Sequence, residues 1–524
     1  MNPWADYPVP PMRHEALHGD RIVRCFAGRP RSLWQLFDEA VRSAPDAEAM
    51  VCDGQRWSYA DTAAWAARVA GGFAAQGVAA GDRVLLLVGN RPEFLIALLA
   101  LQRIGAIAVP VGVREQRPGL AYIATQCGAV GIVHDAALAE RVPLAEEAPA
   151  LRHRWTAEAL PTAHDASAPR DGAESDTAVI LYTSGTTGRP KGAMLTQLNI
   201  VHSVLHFEAC MRLELGDRSA LAVPASHVTG LIAVIAAMWR VAGCVVIVPE
   251  FKAAPFVALL GAERISHTLM VPAMYKLCLL AENLASADLR AWRVGGFGGA
   301  PMPVATIDEL AARVPSLVLL NCYGATETTS PVTMMPAGHT RAHPDSVGVL
   351  LPAADVRVMD DDGRELPPGE TGELWIGGPM VVPGYWANPE ATAASFTAGH
   401  WHSGDLGSID AQGYVRVFDR KKDMLNRGGY KVYSVEVENT LMAWPGVVEA
   451  AVIGRPCPVL GERVHAVVHA PGVAVDEAAL RAFCAERLAD YKVPESIAFS
   501  AAPLPRNANG KLMKRLLRER LPAA

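Results

Sequence analysis

The chain has 524 residues, of which 51% are hydrophobic and 19% charged, and its formal net charge is −6. This composition is typical of a globular protein with enough apolar residues for a large core, and the length predicts several domains. The slightly acidic balance argues against a general affinity for nucleic acid or anionic lipid, so we expect no nucleic-acid partner.

The cysteines and the N-terminal segment indicate in which cellular compartment the protein resides. The nine cysteines are irregularly spaced and include no CxxC pair, which is typical of reduced, mostly buried thiols. No cysteine–histidine cluster has the spacing of a zinc site. The first 20 residues carry prolines and charges where a signal peptide needs an apolar run, so we expect a cytoplasmic protein.

Helix-like and strand-like runs alternate through the first 400 residues. Such alternation predicts a mostly parallel sheet covered by helices, within an α/β fold. The predicted elements are a helix capped by Ser32, a strand at 83–88, a helix from Pro92 to about Arg103, and strands at 106–111 and 177–184.

Two segments depart from this alternation. Residues 139–175 are rich in alanine, proline and acidic residues, with little β pattern, and we expect a surface excursion there. Residues 219–239 form the longest uncharged stretch and approach the ~20 residues of a membrane span. Because this stretch contains Pro224, His227 and Gly230, we predict a loop, a buried helix and a buried strand, and no membrane span.

A change of pattern near residues 410–425 predicts a second domain. A short strand and a dense charge cluster end the first domain. The elements predicted beyond it are a helix near 435–443, strands at 447–453 and 463–470, a helix at 477–489 and a basic end. We therefore predict an N-terminal domain of residues 1–419 and a smaller α+β domain of residues 420–524, with the boundary at 420–423.

A loop rich in glycine and hydroxyl groups follows the strand at 177–184. Residues 182–192 read YTSGTTGRPKG, in which glycines permit close approach of a ligand and the hydroxyls and lysine suit a polyphosphate. A flexible polar turn is the alternative, and Gly192 after the lysine excludes a Walker A loop. The candidate phosphate-binding residues are Thr183, Ser184, Gly185, Thr186, Thr187, Gly188 and Lys191.

This loop resembles the signature of the adenylate-forming superfamily, which includes acyl- and aryl-CoA ligases, peptide-synthetase adenylation domains and luciferases. Its other motifs follow in order, so the resemblance covers about residues 30–520. The resemblance implies a large N-terminal domain that binds ATP and the acid, and a mobile C-terminal domain. It also implies that the protein uses ATP, Mg²⁺ and CoA.

Three further segments resemble the nucleotide-binding motifs of this superfamily, and the chemistry of their side chains agrees. Tyr323 can stack on adenine, Thr326 can donate to the α-phosphate, and Glu327 can bind Mg²⁺. Asp405 and Arg420 match the ribose contacts. Each of these residues has an alternative interpretation without a ligand. Residues 326–327 could serve merely as the capped start of a helix, Asp405 could be a turn residue, and Arg420 could be a surface charge. The other implied nucleotide contacts are Gly299, Ala300, Pro301 and Gly324.

His227 lies in the uncharged stretch, where a core histidine without a catalytic role is as reasonable an interpretation as a catalyst. In acid–CoA ligases a residue at this place lines the acid pocket. Amino-acid-activating relatives have an aspartate here, whereas residues 219–239 contain no acidic residue. An unpaired ammonium would be costly in such a pocket, so we expect an acid without an α-amino group. The predicted pocket residues are His227, Val228, Thr229, Gly298 and Gly324.

The charge cluster after residue 418 resembles the superfamily's hinge and the loop that follows it. Lys422 aligns with the hinge residue, and the resemblance implies that Gly428, Gly429 and Tyr430 reach the active site in the second half-reaction. A solvated basic linker is the alternative interpretation of these charges.

Near the end of the chain, PRNANGKLMK resembles the motif of the C-terminal catalytic lysine, which places that role on Lys511. A solvated lysine in a basic tail is the alternative. Ala508 and Asn509 depart from the usual residues of this motif. Ser434 replaces a common proline after the hinge loop, and Cys457 replaces a common aspartate.

The resemblance implies an ATP-dependent acid–CoA ligase that forms an acyl-AMP and then an acyl-CoA thioester, releasing AMP and pyrophosphate. We expect a fatty acid first and an aryl acid second. The alternatives are an acyl-AMP ligase that loads a carrier protein, an oxygen-dependent light emitter, and a non-catalytic nucleotide-binding sensor. Many relatives dimerise, so a homodimer is the oligomer that the resemblance suggests.

Overall fold

The computed structural model describes residues 3–17, 21–163, 168–183, 189–472, 475–506 and 512–519. The chain divides into two compact units. The first unit comprises Met1–Val356, Trp375–His402 and Gln412–Val415, and the second comprises Arg357–Leu374, Ser403–Ala411 and Arg416–Ala524. The domain boundary at residues 419–420 stays a prediction.

The helices begin where the sequence supplies caps. Ser32 accepts a hydrogen bond from Gln35 N at 3.1 Å, and Pro92 occupies the first turn of its helix, where a missing N–H costs nothing. The α-helices are α1 Leu33–Ser43, α2 Tyr59–Ala75, α3 Pro92–Ile104, α4 Arg117–Cys127, α5 Gln197–Met211, α6 Ala237–Arg240, α7 Ala253–Ala262, α8 Pro272–Leu279, α9 Val304–Arg313, α10 Pro389–Ser395, α11 Ser434–Met442, α12 Glu477–Ala485 and α13 Lys514–Glu519.

Short helices of other types occur as well. A π-helix spans Thr229–Ala236, directly before α6. Short 3-10 helices span Ala136–Arg141, Ala157–Ala159, Glu282–Ser286, Thr326–Thr328 and Asp490–Lys492.

Many of the strands coincide with apolar runs of the sequence. The strands are β1 Met12–Leu17, β2 Arg21–Phe26, β3 Glu48–Cys52, β4 Gln55–Ser58, β5 Arg83–Leu87, β6 Ile107–Pro110, β7 Gly131–His134, β8 His153–Thr156, β9 Thr177–Thr183, β10 Lys191–Thr196, β11 Arg218–Leu221, β12 Cys244–Ile247, β13 His267–Met270, β14 Val294–Phe297, β15 Val318–Ala325, β16 Ser330–Met334, β17 Val349–Leu350, β18 Asp355–Met359, β19 Gly372–Gly377, β20 Phe396–Thr397, β21 His400–Ile409, β22 Val415–Arg420, β23 Leu425–Arg427, β24 Tyr430–Val432, β25 Glu449–Cys457, β26 Gly461–His469 and β27 Ser496–Phe499.

Two large sheets dominate the first unit. One has six strands in the order β10-β9-β6-β5-β7-β8, and the other has nine in the order β17-β16-β15-β14-β13-β11-β12-β3-β4. Both are parallel in their central strands, whereas β10, β16, β17 and β4 pair antiparallel at the edges. A two-stranded ribbon pairs β1 with β2. The predicted mostly parallel α/β architecture is confirmed.

The core of the first unit is built from apolar strand and helix faces. In α3, eleven of the thirteen residues are buried, so this helix is enclosed on nearly every side. The uncharged stretch at 219–239 contains most of β11, a turn and the π-helix, and its helical residues apart from Thr229 are buried, as the sequence predicts. Across the described ranges, no helix combines the length and apolarity needed to cross a membrane. All nine cysteines are free and buried.

A further sheet has the strand order β18-β19-β21-β20, with β22 beside β21. The C-terminal part of the second unit has its own sheet, in the order β24-β23-β26-β25 with β27 beside β26. Val452, Val464 and Val468 pack with Val437 and Leu441 of α11 in its core. The second unit thus has an apolar core of its own.

Two sequence expectations need correction. Residues 139–175 are not only a surface excursion, because β8 forms an edge strand and Trp155 is buried with its ring 4.9 Å from that of Phe73. A four-residue strand that contains His153 and Arg154 has too little apolar pattern to be recognised. The helix expected at 477–489 ends at Ala485, and a turn follows.

Candidate active site

The phosphate loop connects two strands that pair antiparallel. Strand β9 ends at Thr183 and β10 begins at Lys191, and these two residues face each other in the antiparallel register. The pairing fixes the two ends of the loop relative to each other. The loop residues Ser184, Gly185, Thr186, Thr187 and Gly188, which the sequence assigns to phosphate binding, lie outside the described residues.

Glu327 lies close to these two strands. It occupies the 3-10 turn Thr326–Thr328, which follows β15, and it is buried. Its Oε1 accepts a hydrogen bond from Thr183 Oγ1 at 3.3 Å. The structure therefore brings together two residues that are 144 positions apart and that the sequence analysis assigned to the same nucleotide.

The turn after Glu327 has an uncommon backbone. Thr329 and Ser330 have φ values of 51° and 89°, in the left-handed region that residues with a side chain rarely adopt. The Thr328 hydroxyl stabilises the turn, donating to Ser330 O at 2.6 Å and accepting from Ala325 N at 2.9 Å. Strain of this kind is concentrated at functional sites, which supports a functional role for this turn.

Tyr385 is a residue of this site that the sequence analysis missed. Its hydroxyl donates to Glu327 Oε1 at 3.0 Å, and Lys191 Nζ lies 5.0 Å from its ring centroid. The ring is buried, and burial beside Glu327 raises the pKa of the Tyr385 hydroxyl. Its one signal in the sequence is an aromatic residue after a Pro-Gly turn, which carries no chemical information.

Packing requires a glycine at two positions that the sequence analysis assigned to the candidate site. A Cβ atom on Gly298 would lie 2.3 Å from the Cys322 carbonyl oxygen, and one on Gly324 would lie 2.2 Å from that of Ser330. Tyr323, which precedes Gly324 in β15, is half-buried, whereas Gly299, Ala300 and Pro301 after β14 are exposed. The close backbone approach accounts for both glycines, and their contact with a ligand remains a prediction.

His227 lies just before the π-helix and is partly buried. Its Nδ1 accepts from Thr229 N at 3.4 Å, and burial lowers the pKa of the imidazole. The neutral ring that results carries its proton on Nε2 and can donate one hydrogen bond to a carboxylate. Val228 is buried and Thr229 is partly buried. A π-helix often marks a functional site, which agrees with the pocket prediction.

Asp405 and Arg420, the two predicted ribose contacts, are neighbours in the second unit. Arg420 Nε lies 3.1 Å from Asp405 Oδ1, and the Asp405 side chain is 9% exposed. Asp405 N, within β21, donates to Ser403 Oγ at 3.0 Å. The two residues assigned to the ribose therefore contact each other, and their binding of a ribose remains a prediction.

The candidate hinge and the glycine loop lie after β22. Lys422 is exposed in the turn after Arg420. Gly428 and Gly429 form the turn between β23 and β24 with φ values of 61° and 91°, and Gly428 N donates to Leu460 O at 2.7 Å. The exposed Tyr430 ring stacks on Tyr491 at 4.7 Å. The roles of these residues in the reaction stay predictions.

Lys511 lies outside the described residues, but the helix after it is anchored. Lys514 Nζ, in the first turn of α13, lies 2.7 Å from Glu438 Oε1 and donates to Ser434 Oγ at 2.5 Å. Ser434 N also donates to Asp419. Burial raises the pKa of both Glu438 and Asp419. The serine that replaces a common proline therefore holds α13, because a proline could supply neither the hydroxyl nor the N–H.

The residues around Glu327 suit Mg²⁺. The described residues include no group of three or more histidine, cysteine, aspartate or glutamate side chains that could hold a metal ion. Glu327 offers one carboxylate, and Thr183 contributes a hydroxyl beside it. Mg²⁺ in nucleotide sites is held by one or two carboxylates together with phosphate oxygens and water, so a single glutamate fits this ion.

Comparisons with known proteins agree with the sequence motifs. The model of the AMP-binding enzyme family matches residues 37–386, and that of the AMP-binding enzyme C-terminal domain matches residues 436–511. A feruloyl-CoA synthase of Amycolatopsis is 36% identical over 483 residues, which are 92% of this chain and 97% of that protein. A long-chain-fatty-acid–CoA ligase of Mycobacterium tuberculosis is 34% identical over 477 residues, which are 89% of this chain and 94% of that protein.

A solved structure shows the same fold. The o-succinylbenzoate–CoA synthetase of Bacillus subtilis, in complex with ATP and magnesium ion, superposes with a TM-score of 0.83 at 27% identity, covering 93% of this chain and 98% of its own. The family model alone spans more than half of the chain. The chain therefore belongs to the AMP-binding enzyme family, within the adenylate-forming superfamily.

Proposed function

We propose that this enzyme activates an apolar carboxylic acid without an α-amino group as its acyl-AMP and transfers the acyl group to CoA. Its reaction class is that of an ATP-dependent acid–CoA ligase. The observation that carries the proposal is the contact of Glu327 with Thr183 at the end of the phosphate loop, beside Lys191. This arrangement combines a metal-binding carboxylate, a hydroxyl donor and a cation, which are the groups that phosphoryl chemistry requires.

In the first half-reaction two anions must approach each other. We assign Lys191 and the loop hydroxyls to the phosphates and Thr326 to the α-phosphate, while Glu327 holds Mg²⁺, which would neutralise phosphate charge. Lys511 neutralises the incoming carboxylate. An oxygen of the acid attacks the α-phosphorus, the bond from this phosphorus to the bridging oxygen breaks, and pyrophosphate leaves. Tyr323 stacks on adenine, and Asp405 and Arg420 bind the ribose hydroxyls.

In the second half-reaction the thiolate of CoA attacks the acyl carbon and AMP leaves with the electron pair of the broken C–O bond. We assign Lys422 as the hinge between the half-reactions. Gly428, Gly429 and Tyr430 then act beside the thiol. Gating of this kind separates two chemical steps in one protein. The exposure of Lys422 and the open space beside Gly429 support this assignment.

The acid is proposed to be aliphatic first and aryl second. His227 Nε2 supplies one hydrogen bond to the carboxylate, and the stretch around it contains no carboxylate that could pair with a substrate ammonium. The two relatives named above act, by their names, on an aryl acid and on long-chain fatty acids. Both classes therefore belong in the test.

The test is pyrophosphate release from ATP and Mg²⁺ with a panel of acids, each with and without CoA. The panel contains straight-chain acids of increasing length, hydroxycinnamic and arylacetic acids, and an α-amino acid as a negative control. We expect release with an apolar acid that CoA stimulates, and none with the amino acid. Release that CoA leaves unchanged would favour a carrier-protein acceptor, and no release with any acid would refute the proposal.

A Glu327→Gln variant links the activity to this site. The amide retains the size and one acceptor oxygen but loses the charge that holds a cation. We expect pyrophosphate release to fall by at least tenfold at a fixed, subsaturating Mg²⁺ concentration. An unchanged rate would show that Glu327 holds no essential ion.

A further inference from the structure

Tyr385 contacts two candidate catalytic groups at once. Its hydroxyl donates to Glu327 Oε1, and its ring lies under the ammonium of Lys191 at 5.0 Å. We propose that Tyr385 is a positioning residue that holds the Glu327 carboxylate for its metal ion and the Lys191 ammonium for phosphate. This proposal rests on the function proposed above, because it concerns the same ATP site.

The segment that carries Tyr385 is itself fixed to both partners. Trp386 N donates to Gly192 O at 2.7 Å, and Met194 N donates to Gly384 O at 3.1 Å, so residues 384–386 run along β10, the strand that Lys191 opens. Val382 N donates to the backbone oxygen of Glu327 at 2.9 Å. The tyrosine is thus placed between two backbones to which its own segment is hydrogen-bonded.

The ring of Tyr385 has little freedom to move. The residue is 5% exposed, its ring lies edge-to-face with that of Phe396 at a centroid distance of 5.9 Å, and its backbone N donates to Thr392 Oγ1 at 3.0 Å. A tyrosine hydroxyl keeps its proton at neutral pH, so it acts as the donor to the carboxylate. A rigid donor of this kind can fix the orientation of a carboxylate.

The hydrogen bond has a chemical consequence for Glu327. Because Oε1 accepts from both Tyr385 and Thr183, the plane of the carboxylate is set before any ion binds. Partners of metal ligands typically contribute 10–100-fold in metal affinity or activity for this reason. The ring has a separate consequence, since an aromatic face attracts a cation and limits the positions that the lysine ammonium can take.

Two substitutions separate the hydroxyl from the ring. Tyr385→Phe removes the donor to Glu327 and keeps the aromatic face under Lys191, whereas Tyr385→Leu removes both. The matched control is Tyr59→Phe, because the Tyr59 hydroxyl is also buried but donates to the Gly243 carbonyl oxygen in the core. All variants are made in the full chain, and their folding is checked by circular dichroism.

The readout is ATP binding, measured by isothermal titration calorimetry over a series of Mg²⁺ concentrations without acid. In the wild type, ATP affinity should rise with Mg²⁺ concentration, and the midpoint of this rise is the quantity compared. For Tyr385→Phe we expect the midpoint to shift to about tenfold higher Mg²⁺. We expect its ATP affinity at saturating Mg²⁺ to change by less than about threefold. Tyr385→Leu should show the same shift and, in addition, weaker ATP binding at saturating Mg²⁺ as the lysine loses its aromatic partner.

A wild-type Mg²⁺ dependence in Tyr385→Phe would overturn the proposal, and so would an equal shift in Tyr59→Phe, which would indicate a general effect of losing a buried hydroxyl. If the leucine variant does not fold, the phenylalanine variant decides alone. Failure of the proposed function is distinguishable, because the wild-type protein would then release no pyrophosphate with any acid while the binding comparison still tests Tyr385.

Discussion

Replacing Lys514 by methionine removes the cation of a buried ion pair in the second unit. Lys514 Nζ lies 2.7 Å from Glu438 Oε1, and the two side chains are only 10% and 11% exposed. Ser434 Oγ accepts a second hydrogen bond from the ammonium. Methionine preserves most of the volume of the side chain, so the variant tests the charge and its hydrogen bonds rather than the packing.

The cost follows from what remains behind. Removing one partner of a buried pair typically destabilises a protein by about 3–5 kcal/mol, because an uncompensated charge stays buried. Glu438 Oε1 would still accept from Val452 N at 2.7 Å, and burial already raises the pKa of Glu438, which eases its protonation. We therefore expect Lys514→Met to lower the free energy of unfolding by about 3 kcal/mol, the lower end of this range. Adding Glu438→Gln to Lys514→Met should recover most of this loss, because the amide retains an acceptor for Val452 N.

Hydrogen exchange of the full chain, followed by mass spectrometry, measures the effect where it arises. At about 1.4 kcal/mol per tenfold, 3 kcal/mol corresponds to roughly a hundredfold faster exchange of amides that exchange through opening of this unit. The relevant peptides cover α11, β25 and α13. The control is Lys276→Met, whose ion pair with Glu309 is exposed and should change exchange little.

Two results would refute this reasoning. Unchanged exchange in Lys514→Met would mean that the pair contributes no net stability. A double variant as unstable as the single one would mean that the loss does not come from an unpaired Glu438. Since Lys514 stands three positions after Lys511, a loosened α13 should also slow acyl-AMP formation, which pyrophosphate release would detect.

Three further predictions concern the two half-reactions and acid stability. Lys511→Ala should abolish acyl-AMP formation but spare thioester formation from supplied acyl-AMP, and equal losses in both assays would remove the role given to Lys511. Lys422→Pro should block only the second half-reaction, and normal turnover would contradict a hinge there. The Arg29 guanidinium, which hydrogen-bonds Glu15, lowers the pKa of that carboxyl from 4.5 to about 2. The contact therefore stabilises the fold fully above pH 4.5, and this stabilisation is lost as the pH falls towards 2. In thermal unfolding between pH 2.5 and 6, the Glu15→Gln variant should be less stable than wild type at pH 6, and its stability should approach that of wild type at pH 2.5. A stability difference that does not change with pH would contradict this prediction.

Much of the fold was predictable because local pattern and burial agree. The run at 83–88 forms β5, and the helix after Pro92 ends at Ile104, close to the prediction. The candidate site residues that stand in motifs could be named for a similar reason, since each motif contains several chemically informative residues in a short segment. The hydrogen bond between Thr183 and Glu327, which are 144 positions apart, could not be predicted from either motif alone, because it depends on how the strands are arranged in the fold.

The remaining features depend on contacts between distant segments that have no local pattern. Tyr385 follows an ordinary Pro-Gly pair in the sequence, and the contact of its hydroxyl with Glu327, 58 positions away, follows only from the fold. The hydrogen bond from Lys514 to Ser434 spans 80 positions. In the sequence, the serine could be noted only as a departure from a common proline, and the lysine only as part of a basic end.

The position of β10 at the end of its sheet has a consequence for how this protein behaves during production. An edge strand exposes unpaired N–H and C=O groups that can pair with another chain. Residues 384–386 occupy Gly192 O and Met194 N of this edge, so the segment that places Tyr385 also shields the strand from intermolecular pairing. Changes that detach this segment should lower soluble yield as well as activity, and the two losses will need to be separated when such variants are compared.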